Sequence, residues 1–342
     1  MKRAFAQTGG LARSVAPTIL RLLRGRRARG VGILVGCALL GFGLWSALSH
    51  INFASVIGAV TPIRLVIGLG LAVLTATLGA MAWAAIVSAI APGTRFGRSM
   101  IAFYAALPLK YLPGSVWNHL GKAAWLSQAT WPTGGPNSSR GITSGVFGVA
   151  LDLALLLWSG AVATILLGAW QVPTALSLLT QPATWYLGLA ATGIISAAIP
   201  FVLRRLWWRQ IKRAVIGFAA RIWCAHLLQI AGWLCSSVLL GYIVVVMEPP
   251  GGTMPSSSDS MFALFAGMIA GLAVAVVPNG LGVREWVISL GYASSASAEI
   301  SFAAGFVFRI FGMVAETVIF LVITVVSARS EPDSSALTHK GD

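Results

Sequence analysis

Residues 107–122 read LPLKYLPGSVWNHLGK, placing Lys110, Pro113, Gly114, Trp117, His119 and Lys122 inside an otherwise apolar stretch from 99 to 130. A helix that crosses a bilayer needs about 20 apolar residues. Proline removes a backbone donor and glycine loosens the chain, so a helix is expected to break near 113–114. Thirty-two residues broken in the middle are too few for two full spans. Non-helical backbone at bilayer depth is tolerated only where protein covers it or it lines a watered cavity. The stretch is therefore expected to enter the membrane, turn, and leave by the face it entered.

The rest of the chain supplies the membrane setting. Its 342 residues are 57% hydrophobic and 10% charged, against roughly 25% charged in a soluble domain. Apolar runs at about 31–49, 62–91, 142–168, 184–203, 221–247 and 301–328 predict six spanning helices. The run from Val31 to Leu48 ends in no small-residue cleavage site, so it reads as a retained first helix rather than a signal peptide.

The net charge of +15 raises nucleic acid as a partner, but its distribution argues for lipid. Basic residues crowd the first 30 positions, with no acid among them, and recur in RRLWWRQIKR at 204–213. Basic clusters flanking apolar segments are the positive-inside signature and attract anionic headgroups. The expectation is a multi-pass protein of the plasma (inner) membrane. It has a basic cytoplasmic arm (1–30), one transmembrane domain (31–328) and a polar cytoplasmic tail (329–342). Arg95, Arg98, Arg140 and the 204–213 cluster are also read as cytoplasmic, and the uncharged and acidic loops as external.

A second broken stretch, 261–298, contains VPNGLGVREW at 277–286. By the same topology it starts and ends outside. The fold expected is thus all-α, with about six spanning helices and two opposed re-entrant helix pairs at about 99–130 and 261–298. Interrupted segments in corresponding halves point to a transporter site between inverted repeats.

Several residues in these segments bear chemistry. Lys110 is either a cation that snorkels to a surface or an anchor for an anionic headgroup. Tyr111 and Trp117 suit an interface, and the break at Pro113 and Gly114 frees N–H groups that bind phosphate readily. Lys122 either completes that patch or snorkels. Pro278, Gly280 and Gly282 make a turn no continuous helix adopts. Arg284 and Glu285 follow, as a local ion pair or as a phosphate-gripping fork and the carboxylate that orients it. Asp152, Arg309 and Glu316 lie within apolar helices, where ionisable residues usually pair. An Asp152–Arg309 pair is one option, and a helix-packing ion pair is the plainer reading. Lone His226 reads as a packing residue. Cys37, Cys224 and Cys235 read as small helix- or lipid-facing residues, with neither metal-ligand nor disulfide spacing. No H-E-x-x-H, G-x-S-x-G or Asp-rich metal motif is present, so no enzyme, cofactor or metal site is expected.

The pattern resembles the flippase-like membrane proteins named after the transmembrane region of lysylphosphatidylglycerol synthase. The resemblance rests on K-Y-x-P-G-x-x-W at Lys110, Tyr111, Pro113, Gly114 and Trp117. It continues with P-x-G-x-G-x-R-E at Pro278, Gly280, Gly282, Arg284 and Glu285, and with Arg309 in the following helix. Asp152 stands where such proteins commonly carry an acid, often Glu. The resemblance implies movement of a lipid between leaflets, an aminoacylated phospholipid in the best-known member and polyprenyl-phosphate-linked sugars in relatives of glycan-building systems. No soluble synthase domain is read in these 342 residues, so lipid aminoacylation is not implied.

The function expected is translocation of an anionic phospholipid or lipid-linked phosphate or glycan between leaflets. Lys110, Lys122, Arg284 and Arg309 would neutralise the headgroup, while Asp152, Glu285 and Glu316 balance charge or carry protons. A synthase or glycosyltransferase partner fits this role. The alternatives are a secondary transporter of a small soluble anion, an integral-membrane transferase, or a scaffold in a lipid or glycan pathway.

Overall fold

The structure is a computed structural model that describes residues 61–111, 117–130, 139–167, 215–248, 255–274, 278–293 and 295–329, with the single positions 194 and 198. The expected helices at 31–49 and 184–203, the cluster 204–213 and the terminal arm and tail lie outside the described residues. Within those residues the chain is all-helical. The helices are α1 (Pro62–Ile90), α2 (Phe96–Ala106), α3 (Trp117–Thr130), α4 (Ser139–Leu166), α5 (Val215–Met247), α6 (Ser257–Ala273), α7 (Val283–Gly291) and α8 (Ala298–Arg329). Two 3₁₀ turns, Leu107–Tyr111 and Pro278–Gly280, follow α2 and precede α7.

Four of these helices, α1, α4, α5 and α8, are long and apolar enough to cross a membrane. They match the expected spans at 62–91, 142–168, 221–247 and 301–328 to within a few residues. Helix α1 starts where the sequence signals it: the Thr61 hydroxyl accepts from the Arg64 N–H at 3.4 Å, and Pro62 occupies the first turn. Helix α6 opens with Ser256 and Asp259 capping each other's backbone N–H groups.

Cross-helix contacts fix the directions. Helices α1 and α5 run antiparallel along their length: Tyr242 donates to the Arg64 carbonyl, Leu78 faces Gly232, and Arg221 donates to the Ser88 carbonyl. Helices α4 and α5 run parallel, since Asp152 meets Gln229 and the Leu156 carbonyl accepts from Trp233. Helix α8 runs parallel to α1, with Phe311 against Gly68 and Phe320 and Ile323 near Ala80.

The short helices form two antiparallel hairpins. In the first, Gly121 of α3 sits against Ala106 and Leu109, and Lys122 lies over the Phe103 ring of α2. In the second, Gly291 packs on Ala263, Ile288 on Gly267, and Gly280 on Gly271. The α2–α3 hairpin leaves the end of the bundle where α1 finishes. The α6–α7 hairpin begins at the opposite end, where Ser260 packs against Gly241 near the finish of α5. Their tips, the two 3₁₀ turns, touch inside the bundle. At 11, 14, 17 and 9 residues, none of the four arms reaches the roughly 20 residues of a span.

Charge is distributed unevenly along this axis. Arg95, Arg98, Arg140 and Arg221 lie at one end, and Glu248, Asp259 and Glu299 at the other with Arg64. Helix α8 turns Val314, Val318, Leu321, Val322 and Val325 outward among the described residues. A soluble surface rarely carries so long an apolar stripe, whereas lipid accepts it.

Candidate functional site

Where the tips meet the middle of α8 lies a partly open cavity of about 240 Å³. Small residues keep it open. Ala72, Thr75, Ala76 and Gly79 line one face of α1, Gly232 lies across on α5, and Gly312 on α8. Polar side chains enter from every side: Lys110 from the first tip, Arg284 from α7, Arg309 and Glu316 from α8, and Gln229 and Ser236 from α5.

Among the described residues, three ion pairs tie the surrounding elements together. Lys110 Nζ contacts both carboxylate oxygens of Glu316 at 2.5 Å, joining the first tip to α8. Arg309 reaches Glu285 at 2.8 Å and also donates to the Asn279 carbonyl at 3.1 Å, joining α8 to the second tip. Glu285 in turn accepts from the Gly282 N–H at 2.8 Å, so one buried carboxylate both caps α7 and orients Arg309. The Arg284 guanidinium lies 5.5 Å from the Phe308 ring centre, a cation–π placement.

The third pair stands apart. Lys122 meets Asp152 at 3.0 Å, both buried, with the lysine Nζ 4.3 Å from the Phe103 ring centre and 5.1 Å from that of Trp83. Neither residue lines the cavity. Lys122 is thus enclosed by protein and does not snorkel, and the option of an Asp152–Arg309 pair is replaced by Asp152–Lys122 and Glu285–Arg309. Lone cations at this depth are costly, and Lys110, Lys122 and Arg309 each meet a carboxylate.

The structure thus brings Lys110, Arg284, Arg309, Glu285 and Glu316 to one place. Gly280 and Gly282 shape the second tip with φ of 65° and 82°, backbone that an L side chain resists. Pro278 and Tyr111 belong to the turns by their backbone, while their side chains are outside the described set, as are Pro113 and Gly114 entirely. Trp117 opens α3 and is exposed.

Gln229 was not singled out by sequence reasoning. Its amide donates to Asp152 at 3.2 Å and accepts from Ser159 at 3.3 Å while lining the cavity. It therefore links the Lys122–Asp152 pair to the site. A lone amide in a 33-residue apolar helix was the available signal. Ser159 also lies 2.7 Å from His226 Nδ1, which fits the packing role read for that histidine. Of the cysteines, Cys224 is exposed and Cys235 half-buried, and Cys37 lies outside the described residues. Among the described residues no three His, Cys, Asp or Glu side chains gather as metal ligands do.

Fold and site together define an all-helical membrane protein with a charged cavity at the meeting point of two short-helix hairpins. No family model matches the chain, and no curated protein matches it.

Proposed function

We propose that the protein moves an anionic phospholipid or lipid-linked phosphate between leaflets, with the headgroup passing through the Lys110–Arg284–Arg309 cavity. One observation carries this reading: two hairpins from opposite ends deliver cations to a single cavity. In the bilayer these hairpins are the re-entrant pairs read from the sequence, and with the segments at 31–49 and 184–203 the protein has six spans. The hairpins then stand in inverted-repeat relation. The arginine-rich end faces the cytoplasm, with both termini, in the plasma membrane. Guanidinium and ammonium groups suit phosphate, the former as a planar fork. The resemblance to flippase-like proteins supports the same reading.

A lipid is favoured over a soluble anion by the wall of α8. The cavity is only partly closed, and along α8 it is lined by Met313, which is exposed, and by Gly312, which has open space around it. A headgroup entering there leaves its acyl chains in lipid. The protein acts as a transporter and uses no chemical step. The test is a leaflet-accessibility assay on vesicles holding the purified full chain and fluorescent phosphatidylglycerol. Wild type is expected to expose the inner-leaflet label to an impermeant quencher, and Lys110→Ala and Arg284→Ala to slow this at least about tenfold. Equal rates in all three and in empty vesicles would reject the function.

A further inference from the structure

The acidic residues of this chain are few enough to be counted one by one. There are nine, and three of them (Glu331, Asp333, Asp342) fall in the tail beyond the described residues. Glu248, Asp259 and Glu299 lie at the bundle end where α5 finishes. Asp152 is matched by Lys122, away from the cavity. Only Glu285 and Glu316 remain, and both are bound to the cavity's cations.

Among the described residues the charged side chains lining the cavity are Lys110, Arg284, Arg309 and Glu316, with Glu285 directly behind Arg309. Helices α1, α4, α5 and α6 contribute no charged side chain to the lining. Three cations against two carboxylates make a formal total of +1. This total holds wherever the proton sits within the Lys110–Glu316 or Arg309–Glu285 pair, because a proton moved inside a pair leaves its sum unchanged. In a site of low dielectric, surplus charge of either sign is penalised steeply.

We propose that the cavity is charge-matched to a single phosphodiester monoanion, and that it discriminates against phosphomonoesters and pyrophosphates, which bring a second negative charge. Glu316 sets this preference. It holds Lys110, the cation nearest the first tip, and so removes one positive charge from the total offered to a ligand. Neutralising Glu316 raises the total to +2 and turns the cavity toward dianions. The inference rests on the headgroup reading above and narrows its substrate class.

Ligand binding to the purified full chain in uncharged detergent tests it, read by native mass spectrometry at about pH 9, well above the second ionisation of a phosphomonoester at about 6. The probes are phosphatidylglycerol, phosphatidic acid, dimethyl phosphate and inorganic phosphate. Wild type is expected to bind phosphatidylglycerol about tenfold more tightly than phosphatidic acid. Glu316→Gln is expected to reverse that order, and Glu316→Asp to keep it. Equal affinities in wild type, or the same order in Glu316→Gln as in wild type with both proteins folded, would overturn the charge match while leaving the headgroup reading intact. If Glu316→Gln does not fold, the wild-type and Glu316→Asp orders decide. Tight binding of dimethyl phosphate but not of phosphatidylglycerol would support the monoanion count and move the substrate from lipid to a soluble diester. Binding of none of the four would overturn both readings.

Discussion

Lys122 and Lys110 are the same residue type twelve positions apart, and their surroundings assign them different work. Lys122 is sealed between Trp83, Phe103 and Asp152. Removing one partner of such a buried pair leaves an uncompensated charge and costs about 3–5 kcal/mol. Lys122→Ala is therefore expected to lower the thermal unfolding midpoint in detergent markedly. Lys122→Met with Asp152→Leu, which removes both charges, should recover most of that loss. Lys110→Ala should cost less, because Lys110 and Glu316 are each about one-sixth exposed to the cavity, and its defect should appear in transport. Sequence alone ranked these lysines together. It singled out every charged residue that lines the cavity, since a charge in an apolar run is conspicuous, while leaving open whether Lys110 snorkels to a surface and whether Arg284 and Glu285 form a local pair. It did not resolve who pairs with whom, because pairing depends on how α3, α4, α7 and α8 cross, which no local pattern encodes.

At the scale of elements, the hairpin tips are the sensitive points. Gly280 holds φ at 65° with its Cα facing the Gly271 backbone, so any Cβ there collides with main chain that has no room to yield. Gly280→Ala is expected to destabilise the protein by at least about 2 kcal/mol, measured by thermal unfolding in detergent. Gly70→Ala, on a surface of α1 with open space, should be neutral or slightly stabilising. The break at 278–280 was legible from proline and glycine in apolar surroundings, whereas the one expected near 113–114 lies outside the described residues, just after the 3₁₀ turn at Leu107–Tyr111. The long helices were legible from hydropathy to within a few residues of their ends. What hydropathy left open is that the two tips touch. Within each hairpin, small residues such as Gly121, Gly267 and Gly291 let the arms approach closely, and such glycines look alike in sequence wherever they fall.

For the whole molecule, the orientation proposed makes opposite ends of the bundle accessible from opposite sides. With the three native cysteines replaced, Asp259→Cys and Glu299→Cys should react with an impermeant maleimide in intact cells, and Arg98→Cys only after permeabilisation. Labelling of all three from one side would refute the opposed hairpins as re-entrant pairs. The central claim is that headgroups cross through the cavity itself. Gly312→Leu tests it, because the residue lines the cavity and a Cβ added there meets no atom within 4 Å. The decisive measurement is the rate at which inner-leaflet phosphatidylglycerol becomes accessible in vesicles holding Gly312→Leu. A fall of at least about tenfold, with the unfolding midpoint unchanged, is the result expected. Wild-type rates in a folded Gly312→Leu protein would contradict passage through this cavity.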